Sequence, residues 1–317
     1  MKDRGFTIIE LIIAMFIVSV LLVLTAMSFD RILFGVRSET SSTEGGIERL
    51  VGIELFRLDL EHIGFGIARD TTDPPVAWTE GASPADRLLT LRSTLNNSNA
   101  STIGWFLYDC TAGGSYAARQ VATGGTGLNN TIVVLDQNRA FVENSNRATG
   151  NCPAGIQVLT GYPYDGTIAN GCAASAQWCN QTTYRLSVGQ ELNTCAPGTR
   201  NLLRAVGASA GNPVLNCVAD FKVRFDLDSD ENGTVETNNT TALPVTTADI
   251  IDQVRNVDVY ILVQVGLRRI EASGSDRALF SGTTTLDGVA FDTAGIPDFN
   301  NYQWKTMKLS GKPMSWQ

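Results

Sequence analysis

Hydrophobic and polar positions divide this chain into three regimes. Residues 6–29 are apolar almost throughout, with Glu10 as the single formal charge. As a helix this run would be about 36 Å long, enough to cross a hydrocarbon core of about 30 Å. The few residues in front of it set Lys2 and Arg4 against Asp3, a positive bias that predicts a cytoplasmic start and an outward remainder. From 30 to 66 the pattern turns amphipathic: Ile47, Leu50, Val51, Leu55, Leu58 and His62/Ile63 recur at helical steps, with Glu48, Arg49, Arg57 and Asp59 between them. This predicts one long helix that ends at Gly64 and Gly66. It is weakened at Gly35 and at Gly45-Gly46 by roughly 1 kcal/mol per glycine.

Past Asp73-Pro74-Pro75 the periodicity becomes that of strands. Leu88–Leu91, Ile103–Tyr108, Thr131–Leu135, Phe221–Phe225, Val257–Val265 and Trp304–Leu309 are the predicted ones. Val257-Asp258-Val259-Tyr260-Ile261 alternates and then merges into an apolar run, as a central strand with both faces partly covered would. The stretches 110–130 and 144–200, rich in Gly, Ala, Asn, Ser and Thr, read as long loops. The fold class predicted is α+β. A long N-terminal helix, membrane-spanning in its first half, packs on an antiparallel sheet head (67–317) with long stapled loops.

The staples are cysteines. Cys110, Cys152, Cys172, Cys179, Cys195 and Cys217 all lie mid-chain, and an even count in an exported chain predicts disulfides. Cys172 and Cys179, near neighbours in sequence, are the first pairing to expect. A zinc site is disfavoured, since there is no C-x-x-C pair and His62 is the only histidine. His62 itself, on the apolar stripe near the helix end, reads as a packing or capping residue. A net charge of −8 argues against broad contact with nucleic acid. G-x-S-x-G, the P-loop and H-E-x-x-H are all missing, which argues against an enzyme.

The apolar run admits two plain readings, a signal peptide cut near Ala26-Met27-Ser28 or a simple anchor. The run is long for a signal, and a carboxylate within a span normally has a partner. Arg4-Gly5-Phe6-Thr7-Ile8-Ile9-Glu10-Leu11 instead resembles the processing motif of type IV prepilins and type II secretion pseudopilins. That resemblance implies a leader of residues 1–5, cut after Gly5 by a prepilin peptidase. Phe6 becomes the N-methylated N-terminus, and Glu10 accepts the ammonium of a neighbouring subunit's Phe6. It also implies a chain held in the inner membrane by one pass, with a periplasmic head, until it joins other pilins in an extracellular pilus. A buried carboxylate beside a cation costs less than one alone, and a single such pair favours one register.

Phe56–Gly66, Val218–Phe225 with the acidic loop that follows it, and Val254–Arg269 are similar to PilW-type minor pilins, and Trp304–Leu309 fits them more faintly. The resemblance covers about a third of the chain and implies a minor pilin that starts or caps a filament. Alternatives are a minor pseudopilin of a type II secretion system, and a pilus-tip adhesin or binding module.

One ligand motif stands out. From Asp228 the segment Asp226-Leu227-Asp228-Ser229-Asp230-Glu231-Asn232-Gly233-Thr234-Val235-Glu236 follows the order D-x-D-x-N-G of calcium loops. Asp228, Asp230 and Asn232 would supply oxygens, Thr234 its carbonyl, Glu236 a direct or water-mediated ligand, and Gly233 the sharp turn. Asn239 stands where a bidentate glutamate is expected, so affinity should be weak, with Asp226 a substitute ligand. A solvated acidic turn that needs no metal is the competing reading.

Overall fold

The computed structural model describes residues 15, 18, 19, 22, 25, 50–111, 114–120, 131–145, 149–165, 179–190, 192–266, 268, 282 and 284–313. The chain divides into two units, Met1–Ile47 and Glu48–Gln317, and the architecture that follows is that of the second. The predicted spanning run 6–29 and the amphipathic stretch 30–49 lie almost wholly outside the described residues. Among the described residues no helix is long and apolar enough to cross a membrane.

Helix α1 runs through 50–61. It is followed by β1 (Val76–Thr79), β2 (Leu88–Ser93), β3 (Phe106–Asp109), β4 (Ser115–Gln120), β5 (Thr131–Asp136), β6 (Phe141–Ser145), β7 (Thr149–Asn151) and β8 (Val158–Tyr164). Then come β9 (Asn180–Leu186), β10 (Arg200–Val206), β11 (Asn212–Leu227), β12 (Thr237–Thr240), α2 (Thr247–Gln253), β13 (Val254–Gln264), β14 (Thr285–Leu286), β15 (Val289–Ala290) and β16 (Trp304–Gly311). An eight-stranded antiparallel sheet has the order β1-β2-β9-β10-β11-β13-β16, with β12 added to β11. The predicted α+β class with an antiparallel head is what the chain adopts.

β13 is an interior strand, paired with β11 on one side and the edge strand β16 on the other, and both of its faces are covered. Val257, Val259, Ile261 and Val263 share one core with Phe56, Leu60 and Ile63 of the α1 end. Tyr260 and Leu262 face the other way, into a second core with Phe291, Tyr302 and Trp304. Burying Phe56, Leu60 and Ile63 is worth about 1.5–3 kcal/mol each, so this seam fixes the helix to the sheet. Phe56 also stacks on Tyr184, with ring centroids 3.7 Å apart. Gly64, at φ 73°, ends the helix as predicted.

The buried face of α1 is not the predicted one. Gly52, Phe56, Asp59, Leu60 and Ile63 point inward, while Leu50 and Val51 are 69% and 66% exposed. Asp59, read as a solvent-side charge, is buried. Its carboxylate accepts Arg204 Nε at 2.6 Å and Nη2 at 3.1 Å, Tyr184 Oη at 2.6 Å and Asn97 Nδ2 at 2.7 Å. The four donors compensate the desolvation of an aspartate left only 7% exposed.

The expectation of loops through 110–130 and 144–200 is also corrected. A six-stranded antiparallel sheet, β6-β5-β8-β3-β4-β7, occupies much of that region, and β9 joins the larger sheet. Gly161 and Pro163 interrupt the apolar run of β8, although Leu159, Gly161, Pro163 and Tyr164 are buried. β3 begins at Phe106, later than the predicted Ile103, because Ile103 closes a short 3-10 turn.

Ser145 and Thr149, at the ends of the two edge strands β6 and β7, are four residues apart and so within about 15 Å of one another. Six flat strands would put their edges roughly 24 Å apart. The sheet is therefore rolled, and it is an insertion. β2 and β9, which bracket it in sequence, pair directly from Leu88↔Arg185 to Ser93↔Asn180.

Candidate functional site

The acidic loop leaves the end of β11 and returns as β12. The backbone amide of Glu236 donates to the carbonyl of Leu227 at 3.0 Å, closing its neck, and that of Asp228 donates to Gln253 at 2.8 Å. Residues 229–238 are exposed, whereas Asp228 is fully buried. Asp228 organises the turn: Oδ1 accepts the Asn232 amide at 3.0 Å and Oδ2 the Gly233 amide at 2.9 Å. Gly233, at φ 92°, supplies the turn the sequence assigned to it.

Oδ2 of Asp228 also accepts Nε and Nη2 of Arg255, at 2.9 and 2.5 Å. Burial alone would push this carboxyl up. The hydrogen bonds from Arg255 and from the Gly233 and Asn232 amides outweigh it and hold the group below the ordinary carboxylate range.

The other predicted ligands divide. Carboxylate oxygens of Asp228, Asp230 and Glu236 lie within 4.8 Å of one another and could hold a cation. Asp230 Oδ2 accepts Asn232 Nδ2 at 2.8 Å, and Glu236 Oε2 accepts the Ser229 amide at 2.7 Å. Thr234 lies with its hydroxyl between Asn232 Oδ1 and Glu236 Oε1, the latter at 2.9 Å. Asp226 is not brought into this group. Its carboxylate accepts the Asn239 amide at 3.0 Å and Asn256 Nδ2 at 3.3 Å.

Arg255 already supplies positive charge to the one buried acid, so an ion would rest mainly on the exposed Asp230 and Glu236. Sequence reasoning missed Arg255. It lies 27 residues beyond Asp228, and only the pairing of β11 with β13, Asp226↔Asn256 and Leu227↔Val254, brings the two together.

Two of the predicted staples are seen whole. Cys110 bonds Cys152 across 42 residues, and Cys195 bonds Cys217 across 22. Cys179 is also disulfide-bonded, and Cys172 lies outside the described residues. His62, the lone histidine, is half-buried at the end of α1, and its Nδ1 has no hydrogen-bond partner.

Gly5, Phe6 and Glu10 lie outside the described residues, and here the comparisons with known proteins speak. Residues 1–26 match the family described as the prokaryotic N-terminal methylation motif. No curated protein sequence matches the chain. Among solved structures, the type IV-like pilin TTHA1219 from Thermus thermophilus aligns at 12% identity over 86% of this chain and 98% of that one, with a TM-score of 0.38. What the comparisons establish is that the chain carries the prokaryotic N-terminal methylation motif over residues 1–26.

Proposed function

We propose that this chain is a minor pilin of the PilW type, which helps to start or cap a type IV pilus. The observation that carries the reading is the methylation motif over residues 1–26. In this reading a prepilin peptidase cuts between Gly5 and Phe6, and the apolar segment holds the chain in the inner membrane with its head in the periplasm. Glu10 then meets the Phe6 ammonium of a neighbouring pilin as the subunit enters the filament.

N-terminal mass spectrometry of the membrane fraction should find a methylated Phe6. An intact Met1, or a start near Phe29, sinks the processing step. Glu10→Ala should leave insertion intact, because removing a charge lowers the cost of transfer into the bilayer, and should impair assembly. Normal pilus numbers with the variant recovered in the filaments would exclude the role given to Glu10.

The acidic loop carries a second, smaller proposal, a weak calcium site on Asp228, Asp230 and Glu236. An ion that binds only the folded head raises its stability, by about 2.7 kcal/mol at 100 times the dissociation constant. The melting temperature of the full chain in detergent should therefore rise in millimolar calcium and fall back with chelator. Asp230→Ala should abolish the shift, and an unshifted melting temperature removes the site.

A further inference from the structure

The same loop contains a pattern that neither filament assembly nor cation binding requires. Asp230-Glu231-Asn232-Gly233-Thr234 and Glu236-Thr237-Asn238-Asn239-Thr240 are two successive copies of acid-x-Asn-x-Thr, six residues apart. Asn-x-Ser/Thr with a non-proline middle residue is the acceptor signal for glycan transfer to the asparagine amide, and such sites lie on surface loops of exported chains. An acidic residue two positions earlier is the added requirement of the bacterial form of this reaction.

Surface position separates these two copies from four of the other triplets, and a fifth, at Asn129, lies outside the described residues. Asn232 and Asn238 are both exposed. Asn96 and Asn180, which also begin Asn-x-Ser/Thr triplets, are only 5% and 3% exposed. Asn99 gives its Nδ2 to Asp165 at 2.7 Å, and Asn239 gives its own to the Asp287 carbonyl at 3.0 Å. None of the five, Asn129 included, has an acidic residue two positions before it. Around Asn232 the three recognition side chains already form one exposed unit, with Nδ2 on Asp230 and Oδ1 on the Thr234 amide at 2.8 Å. An amide nitrogen is a poor nucleophile, so a transferase must grip the carboxamide from both sides. The carboxylate and the hydroxyl are the handles this loop presents.

We propose that Asn232 and Asn238 are tandem acceptors for an oligosaccharyltransferase on the exported side of the membrane. The donor is a polyprenyl-pyrophosphate-linked oligosaccharide. In the transfer, Asn Nδ2 forms a bond to the sugar C1, the C1–oxygen bond to the pyrophosphate breaks, and polyprenyl pyrophosphate leaves with that electron pair. The amide proton passes to a base, and no oxidant or reductant takes part. Asp230 and Glu236, two of the three acids in the cation-like cluster, then have a role as recognition residues that needs no metal. The proposal rests on export of the head.

Mass spectrometry of the chain purified from its native membrane or pilus fraction tests both together, because one digest reports the N-terminus and the 226–255 peptide. A glycan on Asn232 and Asn238 is expected, lost site by site in Asn232→Gln and Asn238→Gln. Asp230→Asn and Thr234→Val should each abolish occupancy at Asn232 and leave Asn238 occupied, a selectivity that misfolding would not produce. Bare asparagines on a chain that begins at Phe6 overturn the proposal while leaving the pilin reading intact. A chain that begins at Met1 counts against the pilin reading instead. The acceptor claim is then decided by purified full-length protein, a bacterial oligosaccharyltransferase of this specificity and a lipid-linked oligosaccharide. Transfer to both asparagines of the folded protein supports it, and no transfer refutes it.

Discussion

Among single residues, Asp59 shows most clearly how tertiary context overrides sequence pattern. In a helical stripe flanked by Arg57 and Glu61 it reads as one more surface charge, and Arg57 does bond Glu54 and Glu61 across the exposed side of α1. Asp59 instead projects into the sheet and meets Arg204 from 145 residues away. Burial pushes the Tyr184 hydroxyl well above its ordinary range, reinforced by the Asp59 charge beside it, so the phenol remains a donor to that carboxylate. Removing one partner of a buried pair strands the other, which typically costs about 3–5 kcal/mol. Asp59→Ala should therefore lose stability on that scale in denaturant unfolding of the detergent-solubilised chain, and Asp59→Leu with Arg204→Met should recover much of it. Glu54→Ala, on the exposed side, should leave stability essentially unchanged. A loss below about 1 kcal/mol for Asp59→Ala, the range of surface pairs, would show that water reaches the site.

The elements were legible where one periodicity dominated and obscure where glycine or polar residues carried the contact. β2, β5 and β16 stand at or near their predicted positions, and β13 has both faces covered, as its alternation merging into an apolar run implied, although it lies next to the edge strand β16. For α1 the sequence marked the end at Gly64 but suggested the wrong face. Leu50 and Val51 look like core, and Gly52 has no place in the apolar stripe. In the folded chain a Cβ on Gly52 would lie 2.0 Å from the Val214 carbonyl oxygen, and one on Gly311 would lie 2.3 Å from Leu60 Cβ. At both glycines helix and sheet approach too closely to admit a side chain, and Phe56, Leu60 and Ile63 turn inward on the same face. A scale that scores glycine as a helix breaker cannot see this. Gly52→Val should force the helix away from β11 and cost about 1–3 kcal/mol, the usual range for overpacking. Unfolding midpoints compared with those of Leu50→Ala, on the exposed side, provide the measurement, and equal effects would contradict the close approach.

For the whole molecule, the rolled sheet explains why the middle of the chain resembled nothing recognisable. The motif-bearing segments, α1, β11, β13 and β16, belong to the helix and the large sheet, which closes without the insertion because Ser93 and Asn180 are already paired. The insertion has its own core of Phe106, Tyr108, Ile132, Val134 and Leu159, stapled by Cys110–Cys152. It touches the framework mainly where the chain leaves α1. Arg139 Nη2 donates to the Gly64 and Ile67 carbonyls at 3.0 and 3.2 Å, and Phe65 meets Tyr162 edge-on at 5.0 Å. Ala68 sits against Val133, Leu135 and Tyr164. These contacts are few beside the core that joins α1 to β9, β11 and β13. Replacing 98–178 with a short Gly-Ser turn, with Cys179→Ser to avoid a lone thiol, should therefore leave a framework that folds. Asn97 is retained so that Asp59 keeps all its donors. Stability should fall, because each lost hydrogen bond contributes about 1 kcal/mol and Phe65 and Ala68 lose their cover. Unfolding should remain cooperative, and hydrogen exchange should still protect β11 and β13, which are separated from the excision by β9 and β10. If those strands exchange freely, the large sheet depends on the insertion for its folding, and the division into framework and insert is wrong.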